Sequence, residues 1–302
     1  MSGKADSLKT ILFALAANFA IFVSKLVAAI LSGSGSMLAE AVHSLADCAN
    51  QGLLLVGMRR SRRPASADFP LGFGKAVYFW SFLVALLLFS VGGVFSIYEG
   101  AHKLESPEPL RWPFLAIGVL AFGLVAESFS MWGCLREVNK ARNGASLWRW
   151  FRDSRQSELI VIFGEDLAAL FGLAFALAAI VLTLVTGDPL YDACGSIAIG
   201  VLLIVVAGFV AIEVAALLIG QSADPQLRDE LLAFLRAQPD VARVFNVITL
   251  QLGPDLMVAV KAQMVDGGSG LALIDAINRV EAAMKQRFPE IRWSFFEPDV
   301  SD

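Results

Sequence analysis

Glu40, His43 and Asp47 recur at helical spacing inside an otherwise apolar stretch, and Glu165 with Asp166 interrupts another, Val161-Ile162-Phe163-Gly164-Glu165-Asp166-Leu167. At about 100° per residue His43 and Asp47 lie about 40° apart, one turn above another, and Glu40 falls within about 20° of Asp47, so all three can face one cleft. An imidazole and a carboxylate four residues apart suit a borderline cation such as Zn²⁺, which takes nitrogen and oxygen ligands at about 2.0–2.2 Å in tetrahedral geometry. One helix supplies two such ligands, and Glu165 and Asp166 offer the rest. Adjacent carboxylates diverge by about 100°, which turns one toward the site and the other toward a neighbouring helix or a water path. A structural hydrogen-bonded pair of His43 and Asp47 is the alternative, and the acidic pair on a second segment weighs against it.

The setting gives these residues their meaning. Hydrophobic residues make up 57% of the 302 and charged residues 17%, against about 25% charged in soluble domains. The apolar residues come in runs of about twenty, the length that crosses a hydrocarbon core of about 30 Å. At that depth a charged side chain costs about 2.5–3.5 kcal/mol, so it persists mainly where it is paired or works. Asn18, Lys25, Asn50, Gln51, Glu127 and Glu213 are read as interhelical hydrogen-bond or ion-pair partners. Glu40 is either a headgroup-level carboxylate or part of an ion pathway. Asp192 is expected to cap or begin the last span, and His102 to be a solvated loop residue. Cys48, Cys134 and Cys194 have no CxxC spacing and read as packing residues, which excludes a disulfide framework and a thiolate cluster.

Apolar length places spans near residues 9–32, 36–58, 76–100, 112–135, 158–186 and 189–219. The first is too long for a signal-peptide core and is expected to stay as an uncleaved span. Arg59, Arg60, Arg62, Arg63 and Lys75 follow the second span, and Arg136, Lys140, Arg142, Arg149, Arg152 and Arg155 follow the fourth. By the positive-inside rule both loops, and therefore both termini, are cytoplasmic. The expected domains are 1–221, a six-helix transmembrane bundle, and 222–302, a small α+β domain. In the latter, Pro225–Ala237 reads as a helix capped by Asp224, Val244–Leu252 and Leu256–Val265 as a hairpin, a second helix runs to about Phe288, and Ile291, Trp293 and Phe295 mark a last strand. A net charge of −4 without a basic helical face excludes nucleic acid as a partner. No HExxH or GxSxG is present, which disfavours an intramembrane hydrolase; the chain is not expected to be an enzyme or to need a cofactor.

Gly33-Ser34-Gly35-Ser36-Met37-Leu38-Ala39-Glu40-Ala41-Val42-His43-Ser44-Leu45-Ala46-Asp47, with Arg62-Arg63-Pro64-Ala65 and Phe69-Pro70-Leu71-Gly72-Phe73-Gly74-Lys75, resembles the cation diffusion facilitator family over nearly the whole chain. The resemblance implies a dimeric six-helix exporter with a ferredoxin-like, metallochaperone-like cytoplasmic domain, exchanging a cytoplasmic divalent cation, foremost Zn²⁺, for protons by alternating access. It implies His43 and Asp47 as ligands and aligns Asp166 with the second member of a pair on the fifth helix. The position four before Asp166 is Ile162, where zinc-carrying members usually have histidine or aspartate. The Glu-Asp pair is similar to the branch that holds the mitochondrial zinc exporter and bacterial relatives, which makes Glu165 the candidate fourth ligand. Residues 222–302 hold neither histidine nor cysteine, so that domain is expected to dimerise without a tight zinc site. Transport of Mn, Fe or Co by the same site, and a metal-responsive scaffold or sensor without transport, are the alternatives. The simplest location is a bacterial inner membrane.

Overall fold

The computed structural model describes residues 3–107, 109–142 and 144–301. Its elements in chain order are α1 (Gly3–Ser32), α2 (Gly35–Ser61), α3 (Ala76–Glu105), α4 (Pro113–Ala141), α5 (Leu147–Asp153), α6 (Ser157–Thr186), α7 (Leu190–Ile219), α8 (Pro225–Arg236), β1 (Val241–Leu252), β2 (Asp255–Met264), α9 (Gly270–Arg287) and β3 (Ile291–Pro298). Helices α3, α4, α6 and α7 are long and apolar enough to cross a bilayer. Four of the six expected spans therefore meet that test by composition. The described apolar stretch of α1 is Asn18–Ser32, and α2 carries Glu40, His43 and Asp47 along its length. The chain is an integral membrane protein, and Phe114, Phe122 and Phe129 on α4 and Ile212 on α7 are exposed, as side chains solvated by lipid would be.

Two compact units emerge. The first takes in the chain up to Val56, Trp80–Ser146 and Glu158–Glu213; the second takes in Gly57–Phe79, Leu147–Ser157 and the chain from Val214 onward. In the first, small residues let helices approach closely, as is usual where lipid gives no hydrophobic drive. A Cβ on Gly93 of α3 would lie 3.2 Å from the carbonyl oxygen of Gly200 on α7, and one on Gly100 2.7 Å from that of Ala193. Around this contact Leu88–Val94 of α3 forms a π-helical stretch. Leu120, Leu173, Ile180, Ile199 and Leu203 fill the apolar core of the unit.

In the second unit, β2 pairs antiparallel with β1 and parallel with β3, giving the order β1-β2-β3. Buried and half-buried residues alternate strictly along β2. Its buried side of Leu256, Val258, Val260 and Ala262 packs with Leu231 and Leu235 of α8 and Val280 and Met284 of α9. The helix start expected at Pro225 is confirmed: Asp224 accepts from the amides of Gln226 (2.9 Å) and Leu227 (3.4 Å). Gly253, at φ +69°, turns the hairpin. Within this unit its amide donates to the Tyr78 hydroxyl at 2.9 Å.

Three expectations need correction. His102 belongs to no loop, because α3 runs on to Glu105, where the residue is exposed and stacks on Tyr98 at 6.3 Å. The basic loop after the fourth span contains α5, whose Trp150 and Phe151 are buried. Strand β1 begins at Val241 rather than Val244; register shifts between Val241 and Arg243 and between Val244 and Asn246 break the alternation that would mark its start.

Candidate metal pathway

Helix α2 carries Glu40, His43, Asp47 and Asn50 past α1, α4 and α6, and its alanines at 39, 41 and 46 are buried where it packs. On α6, Gly164 lies against Val206 and Val210 of α7. The next two residues turn their carboxylates inward.

Asp47, Glu127, Glu165 and Asp166 line one cavity of about 40 Å³ together with Asn18, Ser44, Gln51 and Ser130. That is room for a few water-sized particles. Glu165 and Asp166 thus border the same space although neighbours on a helix diverge. Two other helices receive them: Asn50 Nδ2 of α2 donates to Glu165 Oε1 at 2.5 Å, and Ser130 Oγ of α4 donates to Asp166 Oδ1 at 3.1 Å. His43 is fully buried beside the cavity rather than among its lining residues, with Nδ1 3.6 Å from Asp47 Oδ1, beyond hydrogen-bond reach. Among the described residues, no three His, Cys, Asp or Glu side chains converge closely enough to hold a metal ion together.

Eight buried side-chain polar atoms among the described residues have no protein partner, and six belong to this region: Glu40 Oε1, His43 Nδ1 and Nε2, Asp47 Oδ1, Asn50 Oδ1 and Asp166 Oδ2. Each such atom costs about 1–3 kcal/mol. They are concentrated on α2 and α6, around the cavity.

The residues read as interhelical partners divide. Lys25 pairs with Glu40 at 3.0 Å, and both are buried, which places Glu40 inside the protein and not at a headgroup. Asn50 bonds to Glu165. Asn18, Gln51 and Glu127 line the cavity instead. The signal for Glu127 was its charge at depth with Ser130 one turn on. Asp192 does begin α7, but its side chain caps α2: it accepts from Ser34 Oγ at 2.6 Å and from the amides of Gly35 (2.6 Å) and Ser36 (3.3 Å), with Lys103 Nζ at 3.5 Å. This anchor fixes the end of the helix that carries Glu40, His43 and Asp47.

Residues 11–219, the bulk of the chain, match the cation efflux transmembrane domain. The chain belongs to the cation efflux family, the cation diffusion facilitators. The chain is 34% identical over 247 residues to the proton-coupled zinc antiporter SLC30A9, mitochondrial, of Xenopus laevis, covering 81% of this chain and 44% of that protein. It is 33% identical over 250 residues to metal tolerance protein C4 of Arabidopsis thaliana, covering 82% of this chain and 55% of that one. With the cation-efflux pump FieF of Salmonella newport (strain SL254) it shares 26% identity over 277 residues, covering 89% and 85%. The chain spans less than half the length of the zinc antiporter it matches.

Proposed function

We propose that this cation efflux protein exports a divalent metal ion, foremost Zn²⁺, in exchange for protons, with His43, Asp47 and Asp166 as ligands and Glu165 as the fourth. The observation that carries this reading is the shared cavity of Asp47, Glu165 and Asp166, bordered by buried oxygens and ring nitrogens without partners. Such a donor set, one imidazole and three carboxylates, is chemically suited to Zn²⁺ and also accepts Mn²⁺, Fe²⁺ and Co²⁺. The relatives' names, a proton-coupled zinc antiporter and a cation-efflux pump, support both the cargo and the counter-ion.

The ligand set is split between α2 and α6, with His43 not yet among the lining residues. Binding therefore draws the two helices together, and release parts them, which is alternating access by rocking of the bundle. Protons and the metal compete for the same carboxylates and imidazole, because each ligand must be deprotonated to bind. In this reading α1 and α2 complete six spans, domains 1–221 and 222–302 are membrane and cytoplasmic parts, both termini face the cytoplasm of a bacterial inner membrane, and two copies form a dimer.

Uptake of Zn²⁺, Mn²⁺, Fe²⁺ and Co²⁺ into proteoliposomes with and without a pH gradient tests the reading. Gradient-dependent flux of at least one metal supports it and ranks the cargo. Metal binding without flux of any metal would favour a sensor or scaffold.

A further inference from the structure

Lys25 lies within the apolar stretch of α1 at 0% exposure, yet it is not one of the groups assigned to the metal. Its ammonium donates to Glu40 Oε2 at 3.0 Å and to Ser44 Oγ at 2.8 Å. Both acceptors are on α2, and Glu40 is itself 0% exposed. Two features separate this contact from an ordinary helix tie. Glu40 keeps its second oxygen, Oε1, buried and without a partner, and α6 makes room for that oxygen at Gly172, where a Cβ would collide with it. Ser44, the other acceptor, lines the cavity that holds Asp47, Glu165 and Asp166.

A buried pair that only joined two helices would be replaceable by apolar residues at little cost, because desolvating two charges offsets most of their attraction. A lysine ammonium is a compact point charge on a flexible four-carbon stem, and it can leave one carboxylate without unfolding a helix. Glu40 stands one turn from His43 and two from Asp47, toward the α2 end that Asp192 anchors. A cation leaving His43 and Asp47 in that direction meets Glu40 next.

We propose that Glu40 and Ser44 form a second station for the transported divalent cation, and that the Lys25 ammonium occupies this station as a tethered surrogate cation whenever the metal is elsewhere. This rests on the transport reading above. An arriving ion displaces Lys25 from Glu40 Oε2 and uses Oε1 as well. The displaced ammonium, still tethered nearby, then repels the ion and recaptures Glu40 as it departs, which disfavours return to His43 and Asp47. Lys25 acts through Glu40 and never touches the metal, so its role is one of positioning and displacement.

The test compares full-length wild type with K25M, E40Q and K25M/E40Q, measuring Zn²⁺ stoichiometry by calorimetry in detergent and Zn²⁺ flux in proteoliposomes. K25M is expected to bind one more Zn²⁺ per chain than wild type, since Glu40 is no longer occupied, and to lose about tenfold in flux, the low end of the cost of removing an outer partner of a metal site. K25M/E40Q is expected to lose that extra ion and to remain slow. The double variant carries neither buried charge, so it keeps the test decisive if K25M fails to fold. Wild-type flux in K25M/E40Q would make the pair merely structural and overturn the proposal, as would an extra ion that persists in the double variant. Absence of both binding and flux in wild type would instead overturn the transport reading itself.

Discussion

Asn50 on α2 donates from Nδ2 to Oε1 of Glu165 on α6 at 2.5 Å, joining the two helices that carry the proposed ligands. A short, direct hydrogen bond of this kind fixes the orientation of its acceptor. Glu165 is therefore aimed by Asn50, while Asn50 Oδ1 stays unpartnered. Asn50→Leu removes the aiming group without touching a carboxylate. Zn²⁺ affinity, measured by competition against a fluorescent chelator, is expected to fall about 10–100-fold, as for other outer partners of metal ligands. Unchanged affinity would remove Glu165 from the ligand set.

Gly200 of α7 meets Gly93 of α3 so closely that a Cβ at Gly200 would lie 2.7 Å from the Gly93 carbonyl oxygen. Gly200→Val forces the helices apart at an overpacking cost of about 1–3 kcal/mol. The thermal unfolding midpoint of the detergent-solubilised protein is expected to drop, and equal midpoints would show that the contact yields without strain.

Tyr78 is buried, and its hydroxyl accepts from the amide of Gly253 at 2.9 Å and lies 3.3 Å from the carbonyl oxygen of the same residue. Tyr78→Phe leaves that amide without this acceptor, at about 1–3 kcal/mol. Faster hydrogen exchange at the Gly253 turn of the full chain is the expected readout; unchanged protection there would contradict it.

Asp240 and Arg279 form a two-pronged pair at 2.8 and 3.0 Å in the unit that holds the β-sheet, and the Arg279 guanidinium holds the Asp240 carboxyl below its ordinary range. A carboxyl depressed in the folded state contributes its stability in full above the unfolded value near 3.8 and loses it as pH falls through the folded value. The pair is exposed, so the effect is small. Exchange protection around Asp240 is expected to be lower in Asp240→Asn than in wild type at neutral pH, with the difference closing in acid. A difference that persisted in acid would assign it to something other than charge.

Some of this was legible in the sequence because it is local. Asp224-Pro225 states a helix start, alternation along β2 states a half-buried strand, and the spacing of His43 and Asp47 states a shared helix face. Partner choice is not local. Nothing in the sequence pairs Lys25 with Glu40 instead of Asp47, or directs Asp192 to the end of α2 rather than its own helix, since both depend on which helices pack together. Glu127 was visible as a charge at depth, but its place in the cavity with Asp166 follows from how α4 lies beside α6. Helix α5 is seven residues long and set among arginines, too short for periodicity to declare it. The parallel pairing of β3 with β2 follows from the path of α9 and not from the composition of either strand.

The most direct test of the central claim is proton counterflow. Proteoliposomes loaded with a pH-sensitive dye are given external Zn²⁺, and lumenal pH is followed for wild type, His43→Ala and Asp166→Ala. In wild type, Zn²⁺ entry is expected to drive protons out and raise lumenal pH, with no such change in either variant although both remain folded. Zn²⁺ entry with unchanged lumenal pH, or a full response in both variants, would contradict it.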